Sequence, residues 1–132
     1  MKYREAIKKC DKYFSLFIRL RDSDDTGYGR CITCGRVNHY KRMDCGHYIK
    51  RQHIQTRYDE QNCNVQCKYC NCFEQGANEK YKIAIDKKYG PGTSDKLEMK
   101  KLMKGSLSAS DLLLMADYYR DKVNEIKGEK NE

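Results

Sequence analysis

The sequence contains no long apolar run, no repeat and no low-complexity tract. No stretch approaches the roughly 18 apolar residues that a membrane-spanning helix needs, so we expect no membrane partner. The first residues, Met1 to Glu5, lack a charged segment followed by an apolar one, which argues against a secretory signal. We therefore expect a cytoplasmic protein whose cysteines lie in a reducing compartment.

Acidic side chains are also fewer than basic ones. The 132 residues carry 27 Lys plus Arg against 19 Asp plus Glu, a formal net charge of +8. Such a balance favours a polyanionic partner, most commonly nucleic acid. The length suits one compact domain, residues 1–132, and is too small for two separate cores.

The sequence is rich in cysteine, with eight residues of this type. Four of them form two CxxC pairs, Cys31 with Cys34 and Cys67 with Cys70, and Gly35 follows the first pair directly. Each CxxC supplies two thiolates from one tight turn, so the pairs predict a closed structural Zn²⁺ site. The remaining cysteines are predicted to be small, buried or partly buried hydrophobes; they are Cys10, Cys45, Cys63 and Cys72.

Residues 2–21 have the apolar periodicity of an amphipathic helix. The stripe has spacings of four and three and comprises Tyr3, Ile7, Cys10, Phe14 and Phe17. Two interpretations are open: the stripe packs against the core of its own chain, or it lines a homodimer interface. The segment from Asp22 to Gly27 has turn composition and should end the helix.

Short strands and helices are predicted for residues 28–89. We expect strands around 36–49 and near 62–66, a helix from the second CxxC toward Gly76, and a helix capped by Asn78 that ends before Gly90-Pro91-Gly92. The third region, 94–127, predicts two helices, 94–104 and 108–127, each with Ser at its start. The tail from Gly128 is expected to fray.

The segment between the CxxC pairs is strongly basic and contains every histidine. From 36 to 58 it has six basic residues (Arg36, Lys41, Arg42, Lys50, Arg51, Arg57) against one acid, Asp44. A solvated loop is one interpretation. The other depends on His47, whose imidazole titrates near pH 6.5 and can remove a proton from water beside a phosphate held by arginines.

Several linked motifs in this region resemble a known family. His47, Asn62 and the Cys67-x-x-Cys70-Asn71 group resemble the HNH or ββα-metal nuclease pattern, with Asn in place of the final His. The paired CxxC motifs are similar to those of endonuclease VII-type resolvases. The closest resemblance is to the NinG/Rap recombination proteins of lambdoid phages, over about residues 14–90; its motifs are FSLFIRLRD (14–22), CITCG (31–35), GHYI (46–49), TRYDE (56–60) with Asn62, and QCxYCN (66–71).

The resemblance implies an α+β fold, with a zinc-stapled, HNH-like, treble-clef ββα-metal core flanked by N- and C-terminal helices. It implies that His47 is a general base, that Asn71 ligates a catalytic Mg²⁺ or Mn²⁺, and that Asn62 holds the loop that orients His47. The products would be a 5′ phosphate and a 3′ hydroxyl. The DNA contacts are expected from Arg42, Lys50, Arg51 and Arg57.

The sequence departs from the wider HNH pattern at Gly46, where many members have an Asp that binds the metal. Asp44 would project to the same face of a strand, so we predict that it supplies the missing ligand. If a bulge intervenes, Asp59 or Glu60 become the candidates. His53 is expected to be a hydrogen-bonded or phosphate-contacting side chain rather than a catalytic one.

The resulting hypothesis is a metal-dependent DNA endonuclease of phage or prophage origin, acting in the bacterial host cytoplasm on branched DNA such as Holliday junctions. The alternative is a non-catalytic Cys₄ zinc module that binds DNA or RNA, and a third interpretation is a protein-interaction zinc module. A pure binding module does not need His47, Asn62 and Asn71 together in a basic segment, and this combination favours the enzyme.

Overall fold

The computed structural model describes residues 2–73 and 77–129, in which helices and short strands alternate in an α+β arrangement. The helices are α1 (Tyr3–Arg21), α2 (Ile54–Arg57), α3 (Asn78–Tyr89), α4 (Thr93–Lys101) and α5 (Ala109–Glu129). The strands are β1 (Tyr28–Arg30), β2 (Val37–His39), β3 (Asp44–His47) and β4 (Cys63–Gln66). Among these, β1 and α2 were not predicted individually.

The first and last helices pack against each other and form the largest apolar cluster. Phe14 of α1 lies edge-on to Tyr119 of α5, with ring centroids 4.9 Å apart. The buried face of α5 follows the predicted spacing of four and three and consists of Leu112, Ala116, Tyr119 and Val123. Of the stripe on α1, Cys10, Phe14 and Phe17 are buried within the chain and Ile7 is partly buried, whereas Tyr3 is exposed.

The strands form two separate antiparallel pairs, β1 with β2 and β3 with β4. In the second pair His47 lies opposite Cys63, and Asp44 lies opposite Gln66. Because side chains alternate along a strand, Cys45 and His47 share one face of β3 and Asp44 and Gly46 share the other. Strands β2, β3 and β4 lie where the sequence predicted strands, around 36–49 and near 62–66, whereas β1 lies outside these regions.

A polar network joins the end of α1 to β4 and α3. Arg21 donates to both carboxylate oxygens of Asp22 and to the carbonyl oxygen of Cys63. Asp22 in turn accepts from the backbone amide of Val65 at 3.0 Å and from Lys88 at 3.1 Å. The segment that the sequence predicted only as a turn therefore fixes β4 against two helices.

The C-terminal helices begin differently from the prediction in two of three cases. Asn78 is the first residue of α3 and not its cap, and Ala77 takes the cap position with a φ of 52°. Gly92 is the cap of α4. Ser94 lies inside this helix, and its hydroxyl donates a hydrogen bond to the Asp86 carboxylate. Ser108 does cap α5, where its hydroxyl accepts from the amide of Asp111.

Two predicted segments lie partly outside the described residues. The helix expected from the second CxxC toward Gly76 is described only as one wide π-helical turn, Tyr69–Phe73, since 74–76 are outside. The tail was expected to fray from Gly128, but α5 continues to Glu129, and 130–132 are outside. In the described part of the chain, no helix has the length and apolarity required to cross a bilayer.

The α1–α5 contact generates a stability prediction. Leu112 is fully buried in it, whereas Leu114 on the same helix is 70% exposed. Leu112→Ala should lower the free energy of unfolding by about 2–5 kcal/mol, because it removes buried methyl groups and leaves a cavity. Leu114→Ala is the matched control and should change it by less than about 0.5 kcal/mol. Urea unfolding of the two variants measures both values, and equal effects would contradict the packing described.

Candidate functional site

The two CxxC pairs meet in space although 33 residues separate Cys34 from Cys67. The sulfur atoms of Cys31, Cys34, Cys67 and Cys70 all lie within 4.8 Å of one another. Cys34 Sγ and Cys67 Sγ are 3.7 Å apart. A tetrahedral Zn²⁺ with bonds of about 2.3 Å places neighbouring sulfurs about 3.8 Å apart, so this spacing fits a zinc ion.

Backbone amides point at these sulfurs from both turns. The amide of Arg36 lies 3.4 Å from Cys34 Sγ, and that of Cys70 lies 3.4 Å from Cys67 Sγ. Gly35 allows the first turn because its φ is +79°, a left-handed value that side chains disfavour. Each turn thus places a backbone amide where it stabilises negative charge on sulfur.

One thiol of the cluster, that of Cys31, has a lowered pKa. Burial raises the pKa of Cys31, but hydrogen bonds from the Thr33 hydroxyl and from backbone amides, including those of Cys67 and Cys34, outweigh burial and lower this pKa to about 6. A thiolate is the form that binds metal. Burial raises the pKa of two other thiols of the cluster, Cys34 and Cys70. Ligand type and spacing make the group able to hold a metal ion such as Zn²⁺.

An open cleft of about 900 Å³ lies between α1, β3 and the start of the loop after β3. Several cations line it: Arg19, Lys41, Lys50, Arg51 and Lys68. His47, Asp44 and Asn71 are also in its lining. The cleft therefore brings the predicted base and both predicted metal ligands to one basic surface, together with Lys50 and Arg51 of the predicted DNA contacts.

His47 is held in one orientation by the backbone. Its Nε2 lies 2.9 Å from the carbonyl oxygen of Arg57. A carbonyl only accepts, so Nε2 carries the proton and Nδ1 keeps the lone pair. Burial, with smaller contributions from Arg51 and Arg57, lowers the pKa of His47 to about 4, although the carbonyl contact opposes this shift. The imidazole is thus neutral at physiological pH.

Asn62 braces the loop that carries this carbonyl group. Its side chain is fully buried, accepts from the amide of Ile49 at 2.7 Å, and donates to the carbonyls of Ile49 and Thr56 at 3.0 Å each. Thr56 immediately precedes Arg57 in α2. The side-chain amide of Asn62 thereby fixes both ends of the loop that runs from His47 to the Arg57 carbonyl, which orients the imidazole.

Asp44 and Asn71 are in contact across the cleft. Asn71 Nδ2 donates to Asp44 Oδ2 at 3.0 Å, and Lys68 Nζ pairs with Asp44 Oδ1 at 2.7 Å. Asp44 begins β3, whereas Asn71 lies in the π-helical turn after the second CxxC. These two oxygen-bearing side chains are 27 residues apart in the chain and adjacent in space.

Gly46 is a glycine for a steric reason. A Cβ at this position would lie 2.0 Å from Oε1 and 2.6 Å from Cδ of Gln66, whose side chain is fully buried. No larger residue fits without moving Gln66, so an aspartate cannot stand before His47 in this packing. Asp44 lies on the same face of β3 as Gly46, as the sequence predicted.

The other predicted DNA contacts and alternative ligands do not line the cleft. Arg57 makes a bidentate ion pair with Asp11, with contacts of 3.0 and 2.6 Å, so its charge is already paired within the fold. Arg42 and His53 are not among the residues that line the cleft. Asp59 pairs with Lys100, and Glu60 accepts from Tyr119; neither of these alternative ligands lines the cleft.

Three cleft cations were not among the predicted site residues: Arg19, Lys68 and Lys41, the last of which was counted only in the basic segment. Arg19 lies in the FIRLRD motif and Lys68 inside the second CxxC, so both were in quoted motifs but carried no separate signal. Of the remaining cysteines, Cys10 and Cys63 are buried and Cys45 is partly buried, as predicted. Cys72 is exposed, and the prediction for it was wrong because it stands on the open side of the π-helical turn.

Fold and site define a small α+β protein with a four-thiol cluster beside a basic cleft. The family model described as "NinG: Bacteriophage Lambda NinG protein" matches residues 1–129. The chain belongs to the NinG family, which confirms the resemblance seen in the motifs.

Curated relatives agree with this assignment. The chain is 32% identical over 93 residues to Protein ninG of Salmonella phage P22, a match that covers 70% of this chain and 43% of that protein. It is 31% identical over 93 residues to Protein ninG of Escherichia phage lambda, with the same coverage. The matched region thus spans less than half the length of these relatives. No solved structure gives a significant match.

The four-thiol cluster predicts about one tightly bound Zn²⁺ per chain, whose binding energy is also folding energy. Cys67→Ser should lose the metal and cooperative unfolding, because it removes one of four thiolates. Cys72→Ser should retain both, since this exposed thiol is outside the cluster. Elemental analysis and thermal unfolding measure the two effects. A zinc-free protein that is fully folded would contradict the prediction.

Proposed function

We propose that the chain is a metal-dependent DNA endonuclease of the HNH-like, ββα-metal type. The observation that carries the proposal is the single basic cleft that contains His47, Asp44 and Asn71. The order of elements also supports it: β3 ends in His47, β4 pairs with β3, and the turn that follows carries Asn71. The Cys₄ cluster, in a treble-clef-like role, would anchor that turn.

In the proposed reaction His47 acts as the general base. Its Nδ1 lone pair takes a proton from water, and the water oxygen attacks the phosphorus of a phosphodiester. The bond from phosphorus to the 3′ oxygen breaks, and this oxygen takes up a proton from solvent, which leaves a 5′ phosphate and a 3′ hydroxyl. The Arg57 carbonyl stabilises the imidazolium that forms, because it already accepts the Nε2 proton.

Asp44 and Asn71 are the residues that would hold the catalytic cation. Carboxylate and amide oxygens are the hard ligands that Mg²⁺ and Mn²⁺ prefer, and Mg²⁺ needs only one or two from the protein. Such an ion supplies charge stabilisation on the phosphate and leaving oxygens when it is bound. Lys68 is long and exposed, so its ammonium can move from Asp44 to a phosphate.

The cleft cations would bind the DNA backbone. Arg19, Lys41, Lys50 and Arg51 surround the reacting groups and match a string of phosphates. The resemblance to NinG/Rap and endonuclease VII-type proteins extends the proposal to branched recombination intermediates. Phosphate contacts carry no sequence information, which suits an enzyme that selects DNA by its shape.

Loss of the base is the first test of this mechanism. His47→Ala should slow cleavage by about 10²–10⁴-fold, the usual contribution of a general base, and leave DNA binding and zinc content unchanged. His53→Ala is the matched control and should cleave normally, because His53 does not line the cleft.

Asn71→Ala should cleave slowly in Mg²⁺ and regain part of the rate at high Mn²⁺, since a lost ligand weakens metal binding first.

The assay uses zinc-loaded protein with linear, nicked and four-way-junction DNA, in Mg²⁺ and in Mn²⁺. Cleavage of the junction in preference to linear DNA would support the branched substrate. If the wild-type protein cuts none of the three in either metal but binds them, the chain is the Cys₄ binding module instead.

The lowered pKa of His47 predicts at which acid pH the cleavage rate begins to fall. A general base works while it is unprotonated, that is, above its pKa. With a pKa of about 4, cleavage should stay level from pH 7 to about pH 5 and fall only below this, whereas an ordinary histidine would halve the rate near pH 6.5. Zinc content measured at each pH controls for loss of the Cys₄ metal. A cleavage rate that falls to half near pH 6.5 while the zinc is retained would contradict the burial of His47.

The salt dependence of DNA affinity distinguishes Arg51, which lines the cleft, from Arg57, which is paired with Asp11. Arg51→Ala should reduce the slope of log affinity against log salt by about one phosphate contact, because Arg51 is exposed in the cleft. Arg57→Ala should leave the slope unchanged and destabilise the fold, since it leaves Asp11 without its cation. DNA titrations at several salt concentrations, with urea unfolding of both variants, measure this. The opposite pattern would place Arg57 on the DNA.

A further inference from the structure

Three soft metal-binding side chains meet outside the Cys₄ cluster. The ligand atoms of Cys45, His47 and Cys63 all lie within 4.8 Å of one another. The sheet register explains this meeting: His47 is opposite Cys63, and Cys45 precedes His47 by two residues on the same face of β3. Two thiols and an imidazole therefore converge on the face of the β3–β4 pair that packs toward α1.

The histidine is oriented for coordination. Metal-binding imidazoles commonly donate their other N–H to a backbone carbonyl, and His47 Nε2 makes this contact with Arg57. With the proton on Nε2, Nδ1 is the nitrogen that keeps a lone pair for a metal.

Access and charge also suit an ion at this position. Cys63 is fully buried, whereas Cys45 and His47 line the cleft, so an ion can enter from that side and keep a water there. Two thiolates, a neutral imidazole and a divalent cation have no net charge, which a partly buried site tolerates. Two sulfurs, one nitrogen and one open position form a coordination set that Zn²⁺ uses.

We propose that Cys45, His47 and Cys63 form a second site for a soft divalent cation such as Zn²⁺, separate from the Cys₄ cluster. Binding releases the two thiol protons to solvent and involves no redox step. Resting on the proposed function, the site is inhibitory, because a metal on His47 Nδ1 uses the lone pair that would accept the proton from water. Hard Mg²⁺ has little affinity for thiolates and does not compete there.

Zinc binding tests the site without reference to activity. Protein that holds one Zn²⁺ is titrated with further Zn²⁺ against a chelating indicator, and with Co²⁺, whose thiolate charge-transfer band reports sulfur ligands. We expect a second equivalent in the wild type, its loss in Cys63→Ser and Cys45→Ser, and its retention in Cys72→Ser. Cys45→Ser keeps the test valid if the buried Cys63 variant fails to fold. A wild type that binds one equivalent, or a Cys45→Ser protein that still binds two, overturns the site.

Cleavage assays test the inhibition. At saturating Mg²⁺ the second Zn²⁺ equivalent should slow the wild type by about 10²–10⁴-fold, as loss of a general base does, and should not slow Cys45→Ser. Cleavage that continues unchanged with both zinc sites filled overturns the inhibitory role. A wild type that cleaves no DNA at all refutes the proposed function, and the binding stoichiometry alone then decides whether the second site exists.

Discussion

The ion pair between Arg21 and Asp22 holds the site-bearing strands to the rest of the molecule. A two-stranded ribbon of four residues per strand, as in β3–β4, is at best marginally stable alone. Asp22 accepts from the backbone of β4, and Arg21 donates to a β4 carbonyl, so the end of α1 serves as an extra partner for that strand. Burial raises the pKa of Asp22, but Arg21 and Lys88 outweigh burial and lower it, which keeps the carboxylate charged.

The same network reaches α3 through Asn64. Its side-chain oxygen accepts from Lys88, Tyr89 and Arg21, while its amide nitrogen contacts the Tyr81 hydroxyl. That hydroxyl donates to the carbonyl of Gly46 at 2.6 Å. The backbone directly before His47 is thus tied to α3. The position of the imidazole depends on buried polar contacts that come from three separate parts of the chain, and such contacts are costly to break singly.

Local patterns in the sequence were sufficient for most elements. The apolar spacing of α1 and α5 gave their bounds within two residues, and the spacing of the cysteines gave the cluster that the structure assembles. Asp44 was predicted to compensate for Gly46 from strand alternation alone, and the structure places it against Asn71. These features could be predicted because each depends on periodicity or on the geometry of one tight turn.

Long-range pairing of polar side chains could not be predicted in this way. Asp22 has the composition of a turn, and nothing near it in the sequence identifies Val65 and Lys88 as its partners. Arg57 looks like any other cation of the basic segment, yet Asp11, 46 residues away, pairs with it. The caps of α3 and α4 also differ from the prediction, because a left-handed alanine, Ala77, and a left-handed glycine, Gly92, occupy these positions.

Strand alternation also separates two kinds of ligand around one histidine. Asp44 offers oxygen on one face of β3, and Cys45 offers sulfur on the other. Hard cations prefer the first kind and soft cations the second, so in the proposed enzyme the two sets of ligands would bind different metals without any change of conformation. His47 belongs by register to the sulfur face, yet the cleft that it lines also contains Asp44 and Asn71. In the proposed enzyme its single lone pair therefore serves either water or a soft metal, and the identity of the bound cation decides which chemistry the strand supports.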